Sequence, residues 1–290
     1  MQPRGPESIL TSCRSLTRIR AFPTLRSRRA ALALVIVAAF ASGPADPAAA
    51  WSPATRKQMV EDAVRLVPPA LQRLLKRYRR ELARGMTLRI PEQEAGHFEH
   101  ADGSGDLVET ATDTMRAAWV ALQTGEPLRQ VVTRMGRVAH LVGDLDDPLA
   151  MSHEDPREPL YAQDYARYVE RILPKVRLTL EHRPPQGIDT DSLRSWSRAS
   201  ADWSRDFYDP IGRSYWVDGR LVESRTFDER SIPFGIGSLT YARAVNDLAL
   251  AWMTIWREGG GDASGALYDR LIEVRERRAG DPGASPATQP

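Results

Sequence analysis

The feature that most constrains the fold of this chain is a succession of helix-type hydrophobic patterns between residues 51 and 278. Apolar residues recur there at three- and four-residue intervals, the spacing of one face of an α-helix. The pattern is clearest in PALQRLLKRYRRELARG, DLVETATDTMRAAWVALQTG, PLRQVVTRMGRVAHLVGDL, YAQDYARYVERILPKV, DTDSLRSWSRASADWSRDFY, GSLTYARAVNDLALAWMTIW and ALYDRLIEVRERR. No repeat or interdomain linker interrupts the series. The sequence therefore predicts an all-α fold, a single compact multi-helix domain over residues 51–278.

Specific residues mark the predicted helix ends and one turn. Pro69 and Gly85 are the predicted start and stop of the first of these helices, and Ser238 is the predicted N-cap of the most apolar one. A small hairpin is predicted in YWVDGRLVES, because Asp218-Gly219 is typical of a tight turn. The aromatic-rich segment WSRDFYDPIGRSYW either lines a ligand pocket or packs into the protein. Packing is the favoured interpretation, since large aromatic side chains dominate cores.

The first fifty residues have the organisation of a secretory signal peptide. Seven arginines precede the apolar run AALALVIVAAF, and the breaker SGPADP and the small-residue run AAA follow it. About 20 apolar residues are needed to span a bilayer, so the run is short for an anchor, although an uncleaved anchor is the alternative. SRRAAL is a weak indication of the twin-arginine route. We expect an exported protein, periplasmic or secreted, with residues 279–290 as a disordered tail.

Removal of that leader changes both the charge and the cysteine content. The complete chain has 40 basic and 38 acidic residues, whereas residues 51–290 have 33 and 36 and a net charge of −3. This balance gives no support to nucleic-acid binding. The one cysteine, Cys13, lies in the leader, which leaves the exported part without disulfides or thiolate chemistry.

The segment HLVGDLDDPLA carries the first candidate site. His140 and Asp144 are four residues apart, so a helix places them on one face, where an imidazole and a carboxylate suit zinc or a similar divalent ion. An ordinary His–Asp hydrogen bond at a helix end explains the pair equally well. Asp146 and Asp147, which follow, are expected to face solvent.

The segment GHFEHADGSGD adds further metal-ligand residue types in a loop-like context. They are His97, His100, Asp102 and Asp106. Loop histidines with acidic neighbours are usually only solvated, and this is the favoured interpretation for His100. His182, in EHRPP, is expected at the surface.

Five stretches of the chain together resemble the zinc-dependent phospholipase C family, which is related to the single-strand-specific nucleases. In chain order they are the Trp51 that follows the small-residue run, RRELARGM, HFEHADG, HLVGDLDDPLA and ARAVNDLALAWMTIW. HLVGDLDDPLA is similar to the family signature His-x-x-Gly-Asp-x-x-x-Pro-x-His. The resemblance implies a helical domain of the phospholipase C type with a cluster of three zinc ions, which hydrolyses phosphoester bonds.

The resemblance also implies four metal ligands in this chain. Trp51 would supply its free α-amino group and carbonyl after cleavage at Ala50. His97 and His140 would be imidazole ligands, and Asp144 would be the bridging carboxylate and the catalytic acidic residue.

Several of the family's other ligands have no counterpart in this sequence. Its early helix histidine is missing from RKQMVEDAV, and its next aspartate falls near Ile90. Three further ligands fall on alanines, whose methyl groups cannot coordinate a metal: Ala150, Ala162 and Ala166. Glu92 and His153 are the candidates for additional ligands. The remaining donors predict one zinc ion or none.

Two functions from different classes remain after this comparison. The first is an exported metal-dependent hydrolase that cleaves phosphoester bonds, with phospholipid head groups as the implied substrates and partners. The alternative is a catalytically degenerate relative, a pseudoenzyme that binds a ligand or serves a structural role. A nuclease is disfavoured because residues 51–290 are mildly acidic.

Overall fold

The computed structural model describes residues 51–87, 94–152, 154–178 and 191–265. Several predictions concern residues outside these ranges. They are the signal peptide, Ile90, Glu92, His153, His182, the last helix and the C-terminal tail. None of the described helices combines the length and the apolar character that crossing a membrane requires.

The described chain is all-α, which confirms the predicted fold class. Its helices are α1 (Pro53–Leu66), α2 (Pro69–Arg77), α3 (Arg79–Thr87), α4 (Leu107–Gln123), α5 (Leu128–Leu145), α6 (Glu158–Ile172), α7 (Leu193–Arg205), α8 (Tyr208–Ser214) and α9 (Ile232–Glu258). Single 3-10 turns cover Glu94–His97, Pro148–Ala150, Leu173–Lys175 and Ser224–Thr226. The strands β1 (Trp216–Val217) and β2 (Arg220–Leu221) form the predicted hairpin. Asp218 and Gly219 both have positive φ, as a primed turn requires.

Helix α9 is the centre of the fold. Residues 240–255 are all buried, and the helix packs against α1, α4, α5, α6 and α8. A helix that is buried on every side must be covered by other elements on every side, so this segment organises the others around it. Trp252 donates a hydrogen bond from its indole nitrogen to the Met135 carbonyl at 2.9 Å, which joins α9 to α5 in the core.

The first predicted helix is divided in two. The chain bends at Tyr78, where φ is −106° and ψ is 34°, and α3 begins at the next residue. Gly85 was predicted to end the helix but lies inside α3, which continues to Thr87. Gly85 is instead where α3 crosses α5: a Cβ at Gly85 would lie 1.9 Å from the Thr133 carbonyl oxygen. A close helix crossing, not a helix stop, explains this glycine.

The N-cap prediction for the most apolar helix was wrong by seven residues. Helix α9 begins at Ile232, and the Ser231 side chain accepts a hydrogen bond from the Phe234 N–H. The helix includes Gly235 and Gly237 despite their low helix propensity. A Cβ at Gly237 would lie 3.2 Å from Val169 of α6. The close packing of α9 on α6 therefore explains why a glycine is present at this position of the helix.

A pair of serine substitutions tests this helix start. Ser231→Ala removes the N-cap acceptor and is expected to lower the free energy of unfolding by about 1 kcal/mol. Ser238→Ala is the matched control, because Ser238 Oγ is buried without a hydrogen-bond partner among the described residues. Urea unfolding followed by circular dichroism measures both changes. A larger loss in Ser238→Ala than in Ser231→Ala would contradict the observed helix start.

The aromatic-rich segment contributes mainly to packing. Tyr208 and Tyr215 are buried, and Tyr215 stacks on Tyr161 with ring centroids 4.9 Å apart. Trp203 is half-buried beneath the Arg243 guanidinium, which lies 4.0 Å from its ring centroid. These contacts tie α7, α8 and the hairpin to α6 and α9.

Candidate metal centre

Three residues of metal-binding types converge where the 3-10 turn Glu94–His97 meets α5. His97 ends that turn, and His140 and Asp144 lie one helical turn apart on α5, as the spacing predicted. His97 Nδ1 lies 2.9 Å from Asp144 Oδ2 and 3.2 Å from His140 Nε2, and His140 Nε2 lies 3.4 Å from Asp144 Oδ2. These side chains form a group that could hold a metal ion.

The spacing of the three donor atoms fits a small divalent ion. Zinc bonds to imidazole nitrogen and carboxylate oxygen are about 2.0–2.1 Å long, so two ligands of a tetrahedral ion lie about 3.3 Å apart. The observed separations of 2.9, 3.2 and 3.4 Å bracket that distance. The three donors therefore lie at spacings that suit one coordination shell, and the two shorter separations are also hydrogen-bond contacts of His97 Nδ1.

The orientation of His140 is fixed by a backbone group of α3. His140 Nδ1 donates a hydrogen bond to the Met86 carbonyl at 2.9 Å, which leaves Nε2 as the acceptor nitrogen, in contact with His97 Nδ1 at 3.2 Å. Burial lowers the pKa of His140, against the opposing effect of Asp144. A neutral imidazole with a committed Nδ1–H is the form that binds a metal through Nε2.

Asp144 is ionised although it is almost completely buried. Burial opposes its ionisation. The positive charge of Arg56, the nearby imidazole rings and the hydrogen bond to His97 outweigh that cost and lower the pKa of Asp144 to about 2. The carboxylate is 4% exposed, whereas His97 is 27% exposed and His140 is 23% exposed. The histidine side of the group is therefore the side open to solvent.

Arg56 of α1 contacts the other oxygen of Asp144. Its Nη2 donates to Asp144 Oδ1 at 2.6 Å and its Nη1 donates to the His140 carbonyl at 3.2 Å. Sequence reasoning missed this residue, because the segment RKQMVEDAV was searched for a histidine. Arg56 is the first residue of that segment, but no local pattern indicates that it pairs with Asp144, 88 positions away.

Trp51 lies beside Arg56 and is 2% exposed. Its indole nitrogen donates to the Gly143 carbonyl at 2.7 Å, which satisfies one of the last carbonyls of α5. Its own carbonyl accepts from Arg56 Nε at 3.3 Å. Trp51 therefore lies on the Arg56 side of Asp144, and its role as a metal ligand stays a prediction.

The prediction that Asp146 and Asp147 face solvent was wrong. Both are 0% exposed. Asp147 accepts from the Leu149 N–H at 2.9 Å, and Asp146 accepts from Ser200 Oγ at 2.8 Å and lies 3.4 Å from Arg243 Nε. The two carboxylates can be buried because each has polar partners: a backbone N–H of the following turn for Asp147, and Ser200 of α7 and Arg243 of α9 for Asp146.

The other predicted residues that the structure describes lie outside this group. His100 bonds Ser104 and stacks on Phe98, and Asp102 accepts from the Ser104 N–H and hydroxyl, so both stabilise their own loop. Asp106 is exposed at the start of α4. The three alanines on which family ligands fall are all buried: Ala150, Ala162 and Ala166.

No model of a protein family matches the chain, and no curated protein matches it.

Proposed function

We propose that this protein is an exported metal-dependent phosphoester hydrolase that uses a single divalent ion, and that it is a divergent relative of the zinc-dependent phospholipases C. One observation carries the proposal: His97 Nδ1, His140 Nε2 and Asp144 Oδ2 converge at the spacing of metal ligands. Two imidazoles and a carboxylate are a donor set that holds zinc with coordination positions left open.

Each residue of the group has a separate task in this proposal. A divalent ion bound here would act as a Lewis acid, lowering the pKa of water and offsetting the negative charge of a phosphate. His97 and His140 hold it on the solvent-facing side, where a substrate can approach. The Met86 carbonyl keeps His140 in the required tautomer. Asp144, ionised by its neighbours, supplies the one negative ligand.

Phosphoesters of lipid head groups are the proposed substrates. The resemblance of HFEHADG and HLVGDLDDPLA to the phospholipase C family supports this class, as does the leader-like N-terminal segment. The acidic balance of residues 51–290 favours a small phosphoester over a nucleic acid.

A pseudoenzyme is the second candidate, and a specific observation supports it. Arg56 and Asp144 already form a buried ion pair, with side chains 12% and 4% exposed, and their charges balance within the site. The buried alanines offer no donors for further ions. The same scaffold could then serve as a binding or structural protein.

Metal analysis and a hydrolysis assay distinguish the two candidates. We expect about one zinc ion per chain after dialysis against zinc and then metal-free buffer. We expect hydrolysis of a chromogenic phosphocholine ester that a chelator abolishes and zinc restores. Metal content near zero would support the pseudoenzyme. Two or three ions per chain would show that further side chains complete a multinuclear centre.

A further inference from the structure

The guanidinium of Arg56 is bonded to three oxygen atoms at once. Its Nε donates to the Trp51 carbonyl at 3.3 Å, Nη1 to the His140 carbonyl at 3.2 Å and Nη2 to Asp144 Oδ1 at 2.6 Å. The side chain is 12% exposed. A planar group held at three points in a largely buried position has little freedom to move away from the carboxylate.

This arrangement divides the two oxygens of Asp144 between two kinds of partner. Oδ1 bonds Arg56, whereas Oδ2 lies 2.9 Å from His97 Nδ1 and 3.4 Å from His140 Nε2. Binding one ion through both oxygens, or bridging two ions, needs a lone pair on each oxygen directed at a cation. Here the charge-assisted bond to Arg56 occupies one of them.

We propose that Arg56 is a positioning residue that makes Asp144 a one-oxygen ligand. The fixed positive charge stands beside Oδ1 where a second cation would otherwise bind, so the centre takes a single ion through Oδ2. This inference rests on the proposed metal centre and adds the reason why that centre is mononuclear.

The neighbouring contacts fix Arg56 in this role. Its backbone N–H bonds the Ser52 carbonyl at 2.9 Å in the first turn of α1. Trp51 anchors the same end of α1 to α5 through the Gly143 carbonyl, one residue before Asp144. The start of α1 is therefore attached to the end of α5 at the His140 and Gly143 carbonyls and at the Asp144 carboxylate.

Cobalt substitution in the full-length chain tests this inference without an activity assay. Four-coordinate Co²⁺ absorbs visible light more strongly than five- or six-coordinate Co²⁺. In Arg56→Ala and Arg56→Met, Oδ1 is released and can join Oδ2 on the ion. We expect the visible absorption per bound ion to fall severalfold in both variants. Methionine keeps most of the apolar part of the arginine side chain. A fall in absorption in both Arg56→Ala and Arg56→Met would therefore not be explained by lost packing alone.

Arg65→Ala is the matched control on the same helix. Arg65 is 68% exposed and pairs with Asp62, away from the metal group, so its cobalt spectrum is expected to equal that of the wild type. Wild-type spectra in Arg56→Ala and Arg56→Met would overturn the inference while leaving the metal centre in place. Failure of the wild-type chain to bind cobalt would instead contradict the proposed function.

An infrared measurement on the wild-type chain keeps the inference testable if both Arg56 variants fail to fold. Zinc-induced difference spectra report how a carboxylate binds, because one-oxygen coordination widens the separation between its two stretching bands. A widened separation is expected for Asp144. A narrowed separation, typical of binding through both oxygens, would overturn the inference.

Discussion

His140→Ala is expected to lower metal affinity by more than about 100-fold and to abolish metal-dependent hydrolysis. The substitution removes Nε2, which leaves His97 and Asp144 as the two side-chain donors of the group. Two protein ligands are fewer than the three that zinc enzymes normally use. Equilibrium dialysis with zinc measures the affinity, and the chromogenic ester measures the activity.

His100→Ala is the control for this experiment. His100 belongs to the same segment as His97, but it bonds Ser104 and stacks on Phe98 outside the metal group. We expect its zinc affinity and its activity to match the wild type. Hydrolysis that persists in His140→Ala at the wild-type rate would show that the activity comes from another site or from a contaminant.

Gly136→Ala is expected to destabilise the fold by about 3 kcal/mol or more. A Cβ at Gly136 would lie 2.2 Å from the Leu82 carbonyl oxygen, and backbone atoms cannot rotate away as a side chain can. Helices α3 and α5 would have to separate. Urea unfolding followed by circular dichroism measures the loss of stability.

The same substitution is expected to weaken metal binding in the molecules that stay folded. The Met86 amide nitrogen would lie 3.0 Å from the new Cβ, and the Met86 carbonyl holds His140 in its metal-binding orientation. Loss of such an outer partner typically costs 10–100-fold in affinity, so we expect a loss of about 10-fold.

Gly235→Ala is the matched control, because nothing lies within 4 Å of a Cβ at Gly235 in the first turn of α9. Alanine there is expected to stabilise the protein by about 0.5–1 kcal/mol, since it restricts the unfolded chain and favours helix. A Gly136→Ala protein as stable as the wild type would contradict the close crossing of α3 and α5.

The parts of the site that the sequence could predict are local ones. His140 and Asp144 are four residues apart on a strongly periodic segment, and a helix places such residues on one face whatever surrounds it. His97 is a predicted ligand because of its residue type and the family resemblance, but it is 47 positions from Asp144 in the sequence, and only the fold brings the two together. Arg56 is 88 positions from Asp144 and was not predicted. No local pattern encodes such distances.

The sequence by itself predicted helical segments that cover all or most of α2 to α7 and most of α9, the turn at Asp218-Gly219 and the pairing of His140 with Asp144, because hydrophobic period and turn chemistry act over a few residues. Only the tertiary structure decided that Ser231 and not Ser238 starts α9, and that Asp146 and Asp147 are buried. It also decided that an arginine occupies the far side of Asp144. These outcomes depend on which helices pack together, since burial and ion pairing are set by distant neighbours and not by adjacent residues.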